Sequence, residues 1–304
     1  MCYYSFMTAE TQSGTSWTTK RLLEWTSQYL TEAGVDQTRL CAEVLLAHIL
    51  ECTRIELYIR FDYCPDQEQL GRFRELVKRA ANHEPVQYLT GKAHFYSLEL
   101  IVSPAVLIPR AETELLVSQA VDFCRTLMLR PTVDVLDLCT GSGCVAVALA
   151  ANVIETDIIA MDRSSDALEI ARQNLQTHDF QNRVTLSQGD LFAGLAQADK
   201  TVFDLIVANP PYIAADEFEK LESGVRNYEP ADALRAGDDG LDIIRRIVAG
   251  AETHLADESA LMLEIAYNQA EAVVALCERA GYLKDVTTVR DSLGHRRVVT
   301  ARKE

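Results

Sequence analysis

The chain has 304 residues, nearly half of them apolar, and a formal net charge of −16. That length suits about two domains of ~100–200 residues, and the acidic balance argues against a non-specific grip on nucleic acid, which needs a basic surface. No apolar run reaches the ~18 residues that span a bilayer. The opening "MCYYSFMTAETQSG" lacks the basic start and long apolar stretch of a secretory signal, so residues 1–16 are expected to be a loose tail and the protein cytoplasmic. Eight cysteines (Cys2, Cys41, Cys52, Cys64, Cys124, Cys139, Cys144 and Cys277) form no CxxC pair, and the six histidines are dispersed. This is the pattern of reduced, buried thiols in the cytosol, with no metal site expected.

Residues 17–85 read as a small helical bundle. Leu22, Trp25, Tyr29 and Leu30 recur at helical spacing, and Gly34 closes that helix. Asp36 is a predicted N-cap for a second helix through Leu50. Pro65 and Asp66 open a third, with Leu70, Phe73, Leu76, Val77 and Ala80 on one face. Residues 86–110 change character: "AHFYSLELIVSPAVLI" is rich in β-formers, with Ser103–Pro104 as a turn candidate, and reads as a β-hairpin connector. A second domain, 111–304, opens with the helical "ETELLVSQAVDFCRTLM".

From Val133 the pattern alternates between strand and helix. Strand candidates are 133–138, 157–162, 184–190, 203–209 and 261–266, with helices such as "SSDALEIARQNLQTH" between them. Such alternation builds a parallel sheet covered by helices on both faces. The last two strands, in "KDVTTVRDS" and "RRVVTARK", are split only by "LGH" and must form an antiparallel hairpin. The fold class is therefore α/β, a parallel sheet ending in an antiparallel C-terminal hairpin, plus an N-terminal α-helical bundle. The sheet resembles that of class I (Rossmann-like) methyltransferases.

"VLDLCTGSGCVAVALA" places small residues between the first strand of this sheet and a helix. Gly141 and Gly143 allow a tight turn and a close approach of backbone to ligand, although the GxGxxG spacing is not met. Asp162 ends the next strand, where an acidic residue can accept both ribose hydroxyls of a nucleoside. Asp190 ends the third and can accept an adenine amino hydrogen, with Leu191 lining the base. Any one of these carboxylates could be a solvated strand end or a helix cap. With the glycine loop before them, in order on three successive strands, they look like the S-adenosyl-L-methionine site of class I methyltransferases. The glycine-rich motif of that family falls on Asp137, Cys139, Thr140, Gly141, Ser142 and Gly143, with Cys139 standing where a glycine is common.

"NPPY" follows the fourth strand, at the carboxyl edge where open α/β sheets bind ligands. Each X-Pro bond holds the preceding residue extended. Asn209 then offers a side-chain oxygen and Pro210 a backbone carbonyl, with no N–H nearby to compete. Two fixed acceptors suit a planar –NH2 group, and Tyr212 can pack its ring on the flat group that carries it, beside Pro211. An isolated Pro-Pro could simply end a strand. Here it follows a nucleoside-type site, and methyl transfer to a poorly nucleophilic amine needs just such alignment. The motif alone leaves open whether the amine belongs to a nucleic-acid base or to a glutamine.

The acidic charge and the lack of a basic, aromatic-rich module favour a protein substrate. "EPVQYLTG" (84–91), "LIPRAETELLV" (107–117), "SDALEIARQN" (165–174), "NPPYI", "YEPADALRAGDDGLDIIRRI" (228–247), "LEIAYNQ" (263–269) and "DSLGHRRVV" (291–299) follow in order. Together they resemble the protein-(glutamine-N5) methyltransferases of class-1 peptide chain release factors over about residues 20–302. The resemblance implies methyl transfer from S-adenosyl-L-methionine, leaving S-adenosyl-L-homocysteine, to the glutamine of the Gly-Gly-Gln loop. It implies cofactor contacts from Cys139, Thr140, Gly141, Ser142, Gly143, Asp162, Asp190, Leu191 and Asn209. Asn209, Pro210 and Tyr212 would be catalytic, and Asn209, Pro210, Pro211 and Tyr212 would hold the substrate. It also implies a monomer whose helical domain holds the release factor, with no direct nucleic acid or membrane partner. A ribosomal-protein glutamine and, less well, a DNA or RNA adenine are the alternative acceptors. A non-catalytic nucleoside-binding scaffold is a further reading. Ala266 departs from a glycine common in the family. Arg110, Glu112 and Glu114 either favour a helix N-terminus or shape the rim of the site.

Overall fold

The computed structural model describes residues 16–127, 129–197 and 200–304. The tail expected over 1–16 lies almost wholly outside them. The chain divides into two compact units, before and after the Thr90–Gly91 bond.

The first unit holds helices α1 (Thr19–Glu32), α2 (Thr38–Ile49), α3 (Arg54–Ile59), α4 (Gln67–Ala81) and α5 (Val86–Thr90). Leu22, Leu30, Leu45, Leu46, Leu57, Phe73 and Val77 meet in one core, so the helical stripes are core faces. Asp66 caps α4 through a capping box with Gln69. Asp36 does not cap α2: that position falls to Gln37, at φ 48° and without a side-chain bond. The six-residue α3 is set by a second capping box, Thr53 with Glu56, and is too short to show helical periodicity in the sequence. Residues 86–90, expected in the connector, are also helical.

The second unit opens with a hairpin of β1 (Lys92–Phe95) and β2 (Leu98–Ile101). Its turn is Tyr96–Ser97, not Ser103–Pro104, which turns the chain only after β2. Both turn residues have positive φ, 48° and 65°, as the twist of a two-residue hairpin loop demands. Helix α6 (Thr113–Thr126) leads into the sheet, whose strands are β3 (Val133–Leu138), β4 (Thr156–Asp162), β5 (Val184–Gln188), β6 (Phe203–Ala208), β7 (Leu255–Glu264), β8 (Leu283–Arg290) and β9 (Arg296–Lys303).

The strand order is β5-β4-β3-β6-β7-β9-β8; the first five are parallel and β9 runs antiparallel to both neighbours. The near-continuous apolar runs of β3 and β6 reflect burial on both faces. On one face Val133, Val135, Leu205 and Val207 pack with α6 and α7 (Cys144–Asn152) and with Leu175 of α8 (Ser165–Thr177). On the other, Leu136, Leu138 and Ile206 pack with α11 (Asp242–Ala251) and α12 (Ala270–Ala280), which follow the short α9 (Ala215–Phe218) and α10 (Ser223–Tyr228). β7 begins six residues earlier than the sequence suggests, because exposed Asp257 and Glu258 interrupt its apolar pattern. β5 stops at Gln188, so Gly189 and Asp190 lie beyond the strand.

The chain runs outward from β3 to β5, then returns to place β6 against the other side of β3. Neighbouring loops after β3 and β6 therefore part in opposite directions, which opens a crevice at the carboxyl ends of those strands.

Candidate functional site

A cavity of about 780 Å³ fills that crevice, a volume in the range of small-molecule and cofactor pockets. One wall is the loop from β3 to α7. Cys139, Gly141 and Gly143 all have positive φ, at 60°, 56° and 78°. Cys139 thus occupies the left-handed region that favours glycine, while Ala266, at φ −66° and ψ 143°, is in ordinary extended backbone. A Cβ on Gly143 would stand 3.2 Å from the Ala171 Cβ. That glycine lets α8 approach and is not itself part of the cavity wall.

Asp162 organises this wall from the end of β4. Its Oδ2 accepts the Gly141 N–H and its Oδ1 the Ser164 N–H, each at 2.9 Å. Both oxygens keep a second acceptor position. Asp137 sits at the end of β3, 1% exposed, and accepts the Thr140 hydroxyl at 2.6 Å. Burial pushes its carboxyl up to about 7, against the Thr140 hydrogen bond, and the charge of Asp162 adds to the rise. Thr140, Ser142, Leu191 and Asp190 also line the cavity. The Asp190 carboxylate is paired with Arg246 of α11 at 2.8 Å. The thiols of Cys139 and Cys144 are pushed up by burial and by neighbouring carboxylates, Cys144 to about 12, so both stay protonated at neutral pH.

The opposite wall carries Asn209 and Pro211. The Asn209 Nδ2 donates to Thr113 Oγ1 at 3.0 Å, which leaves Oδ1 as the unengaged end of the amide. Among the described residues, no N–H donates to the Pro210 carbonyl. Pro210 and Tyr212 do not themselves line the cavity. The Tyr212 carbonyl accepts Gln269 Nε2 at 2.8 Å, and its hydroxyl turns to Glu264 Oε1 at 3.5 Å. At the rim Arg110 lines the cavity and binds the buried Glu229 at 2.5 Å. Glu114 instead accepts the Tyr96 N–H at 2.8 Å, and Glu112 stands at the start of α6 without a side-chain cap bond.

Sequence reasoning missed three contributors to this wall: Thr113, Glu264 and Gln269. Only their places within "ETELLV" and "LEIAYNQ" mark them. Glu264, at the end of β7, is 1% exposed. Burial raises its carboxyl to about 7, the nearby Thr113 hydroxyl opposes the rise, Glu112 adds to it, and Arg297 and Tyr212 oppose it.

The sheet order, the antiparallel C-terminal hairpin and the switch-point cavity define a class I methyltransferase fold. Residues 114–223 match the methyltransferase small domain, and residues 21–91 the PrmC N-terminal domain. The fold is shared with the catalytic domain of hMettl16, solved in complex with the MAT2A 3'UTR hairpin 6 (TM-score 0.51, 14% identity, 78% of this chain and 82% of that one). The release factor glutamine methyltransferase of Rhodopirellula baltica is 43% identical over 97% of this chain and 99% of its own. That of Geobacter sulfurreducens is 42% identical over 94% of this chain and 97% of its own. The chain belongs to the release factor glutamine methyltransferase family.

Proposed function

We propose that the protein methylates the side-chain amide N5 of a glutamine, that of the Gly-Gly-Gln loop of class-1 peptide chain release factors, with S-adenosyl-L-methionine as donor. The observation that carries this reading is the pair of unengaged acceptors, Asn209 Oδ1 and the Pro210 carbonyl, set beside a nucleoside-sized cavity. Among the described residues, no helix is long and apolar enough to cross a membrane.

The residues present fit that cofactor. Asp162 keeps two acceptor positions suited to a ribose diol, and Leu191 and Met161 offer apolar surface for a base. Asp137 is a buried carboxylate that a cationic group would draw back into its charged form. Asp190 is the candidate acceptor for the adenine amine, in exchange with Arg246. When bound, the cofactor supplies an electrophilic methyl group on a sulfonium.

The chain's own work is alignment. Asn209 and Pro210 accept the two hydrogens of the amide –NH2, which orients its delocalised lone pair and favours the positive charge that grows on nitrogen. Pro211, which lines the cavity, bounds the flat amide, and Tyr212 stands next to it in the chain. The buried thiols take no part. The helical domain, residues 17–85, is assigned to holding the release factor, and the protein acts as a monomer in the cytoplasm. The relatives named for release factors, and the acidic charge of −16, favour this substrate over a ribosomal-protein glutamine or a nucleic-acid adenine.

The test offers labelled S-adenosyl-L-methionine with release factor, ribosomes and nucleic acid together. Label in the release-factor glutamine is expected, and Asn209→Ala should abolish most of it while still binding S-adenosyl-L-homocysteine. A chain beginning at Gly91 should bind cofactor yet leave intact release factor unlabelled. Label confined to nucleic acid or to ribosomal protein would overturn the substrate assignment.

A further inference from the structure

Arg110, in "LIPRAETELLV", is a cavity residue that neither the glycine loop nor the "NPPY" corner gives a role. Its Nη2 donates to Glu229 Oε1 at 2.5 Å. The other Glu229 oxygen accepts the Ile108 N–H at 3.3 Å. The Glu229 side chain is 1% exposed and that of Arg110 33%. Taking a carboxylate out of water costs more than one ion pair commonly returns, so the pair is better explained by what it holds than by stability. It holds a guanidinium, a planar fork of N–H donors. Among the described residues, Nη2 is the one nitrogen of that fork with a partner.

Two further arginines line the cavity, and neither is anchored by a buried acid. Arg163 pairs with Asp232 at 2.9 Å, and Arg235 lies over the Phe218 ring and pairs with Glu219 at 3.7 Å; both side chains are half exposed. Arg163 also follows Asp162 directly, at the end of the cavity suited to a ribose. Arg110 stands at the other end. Its carbonyl accepts the Thr113 N–H at 3.1 Å, and Thr113 holds the Asn209 side chain. Asn209 follows Ala208, which is paired with Leu138 of β3, so Asp137 and Asn209 close neighbouring strands about 4.8 Å apart.

The ammonium and carboxylate of an amino acid share one carbon. A ligand whose ammonium meets Asp137 therefore brings its carboxylate to the same end of the cavity, and of the three arginines Arg110 is the one tied to that end.

We propose that Arg110, held in place by Glu229, binds the carboxylate of the cofactor's amino-acid portion. The inference rests on the S-adenosyl-L-methionine reading above and supplies the partner for the second charge of that zwitterion. A guanidinium meets a carboxylate edge to edge, which gives direction as well as charge. Asp137 and Arg110 together then select an amino acid joined to a nucleoside, where Asp162 alone would accept any nucleoside.

The test is calorimetric titration of the full chain with S-adenosyl-L-homocysteine and with its decarboxylated analogue, which keeps the adenosine, the thioether and the ammonium. Wild type should bind the intact ligand about 10- to 100-fold more tightly, the range for one charged hydrogen-bonded contact. Arg110→Gln strands the buried Glu229, so the double variant Arg110→Gln, Glu229→Gln is measured beside it, and thermal unfolding shows whether each is folded. Both variants should lose most of the preference: the intact ligand weakens by about 10- to 100-fold while the decarboxylated one stays within about threefold. A merely structural role would weaken both ligands alike. Equal weakening, a preference that survives in the folded double variant, or a wild type that binds the two ligands equally would overturn the inference. So would unchanged affinity for both ligands with a raised KM for the protein substrate, which would put Arg110 on the acceptor side. These are binary complexes, so a different methyl acceptor would overturn the substrate assignment and leave this inference standing. A wild type that binds neither ligand would overturn the cofactor reading and the inference together.

Discussion

Asn174 ties the glycine-loop wall of the cavity to the hairpin, and its removal gives a prediction whose size follows from the hydrogen bonds. Its side chain is fully buried on α8. The Oδ1 accepts the Ile101 N–H at 2.6 Å, and Nδ2 donates to the carbonyls of Ile101 and Ser142, both at 2.9 Å. All three polar positions of the amide are used, and Ser142 lies in the loop that lines the cavity. Asn174→Ala would orphan the buried Ser142 carbonyl, at about 1–3 kcal/mol, and two half-buried groups of Ile101, at about 1 kcal/mol each. The total of about 3–5 kcal/mol should lower the melting temperature of the Gly91–Glu304 unit by roughly 6–20 °C, since each kcal/mol moves a domain of that size by about 2–4 °C. Asn174→Asp keeps the acceptor for Ile101 but aims a carboxylate at two carbonyls, and should do at least as much harm. The assays are thermal unfolding by circular dichroism and calorimetric titration with S-adenosyl-L-homocysteine. The affinity should fall along with stability, because the Ser142 carbonyl fixes the loop. An Asn174→Ala protein within about 1 kcal/mol of wild type, with unchanged affinity, would refute the reasoning.

Cys139→Gly relieves a left-handed residue, a gain of about 1–2 kcal/mol, against the greater chain entropy of glycine, about 0.5–1 kcal/mol. Its melting temperature should equal or slightly exceed that of wild type, whereas Cys139→Val should lower it; the reverse order would show that φ 60° is not strained here. Asp162→Ala should weaken S-adenosyl-L-homocysteine binding by roughly 10- to 100-fold, as expected for losing about 1.5–3 kcal/mol of charged hydrogen bonds; titration within twofold of wild type would remove Asp162 from the site. Asp137 binds its proton more tightly in the folded protein, near 7, than at its ordinary 3.8. Its contribution to stability is therefore fully present below pH 3.8 and lost as pH rises toward 7. A cationic ligand reverses this preference: affinity should decline by up to about tenfold per pH unit below 7, and a flat titration curve for wild type would exclude Asp137 as the partner of the ligand's ammonium group.

The elements that could be read in advance are those whose cause lies in a few adjacent residues. β3 and β6 announce themselves as apolar runs, the glycine loop by its small residues, and the corner after β6 by two prolines. The hairpin turn did not, because Tyr96 and Ser97 hold positive φ without glycine, asparagine or aspartate to mark it. Tertiary packing supplies the reason: the Tyr96 N–H is taken by Glu114 of α6. The first half of β7 was hidden by Asp257 and Glu258, whose side chains leave the sheet at a register shift opposite β6. The departure at Cys139 could be seen, but its left-handed backbone is a fact of three dimensions.

The same distinction separates the two halves of the site. The glycine-loop wall of the cavity is built by local turns at the ends of consecutive strands, so each acidic residue follows its own strand and the order survives in the sequence. The "NPPY" corner is held from outside its own segment. Thr113 anchors the Asn209 side chain, Glu264 faces Thr113 and Tyr212, and Gln269 binds the Tyr212 carbonyl. Gly240, at φ 74°, lets its loop pass so close that a Cβ there would stand 2.3 Å from that carbonyl. Four short segments therefore meet around the Asn209–Tyr212 corner. A site that works by alignment needs such support, since a displacement of about 1 Å can cost 10²-fold in rate. The stiffness of "NPPY" limits the backbone, but the Asn209 amide is tethered by Thr113, which comes from elsewhere in the chain.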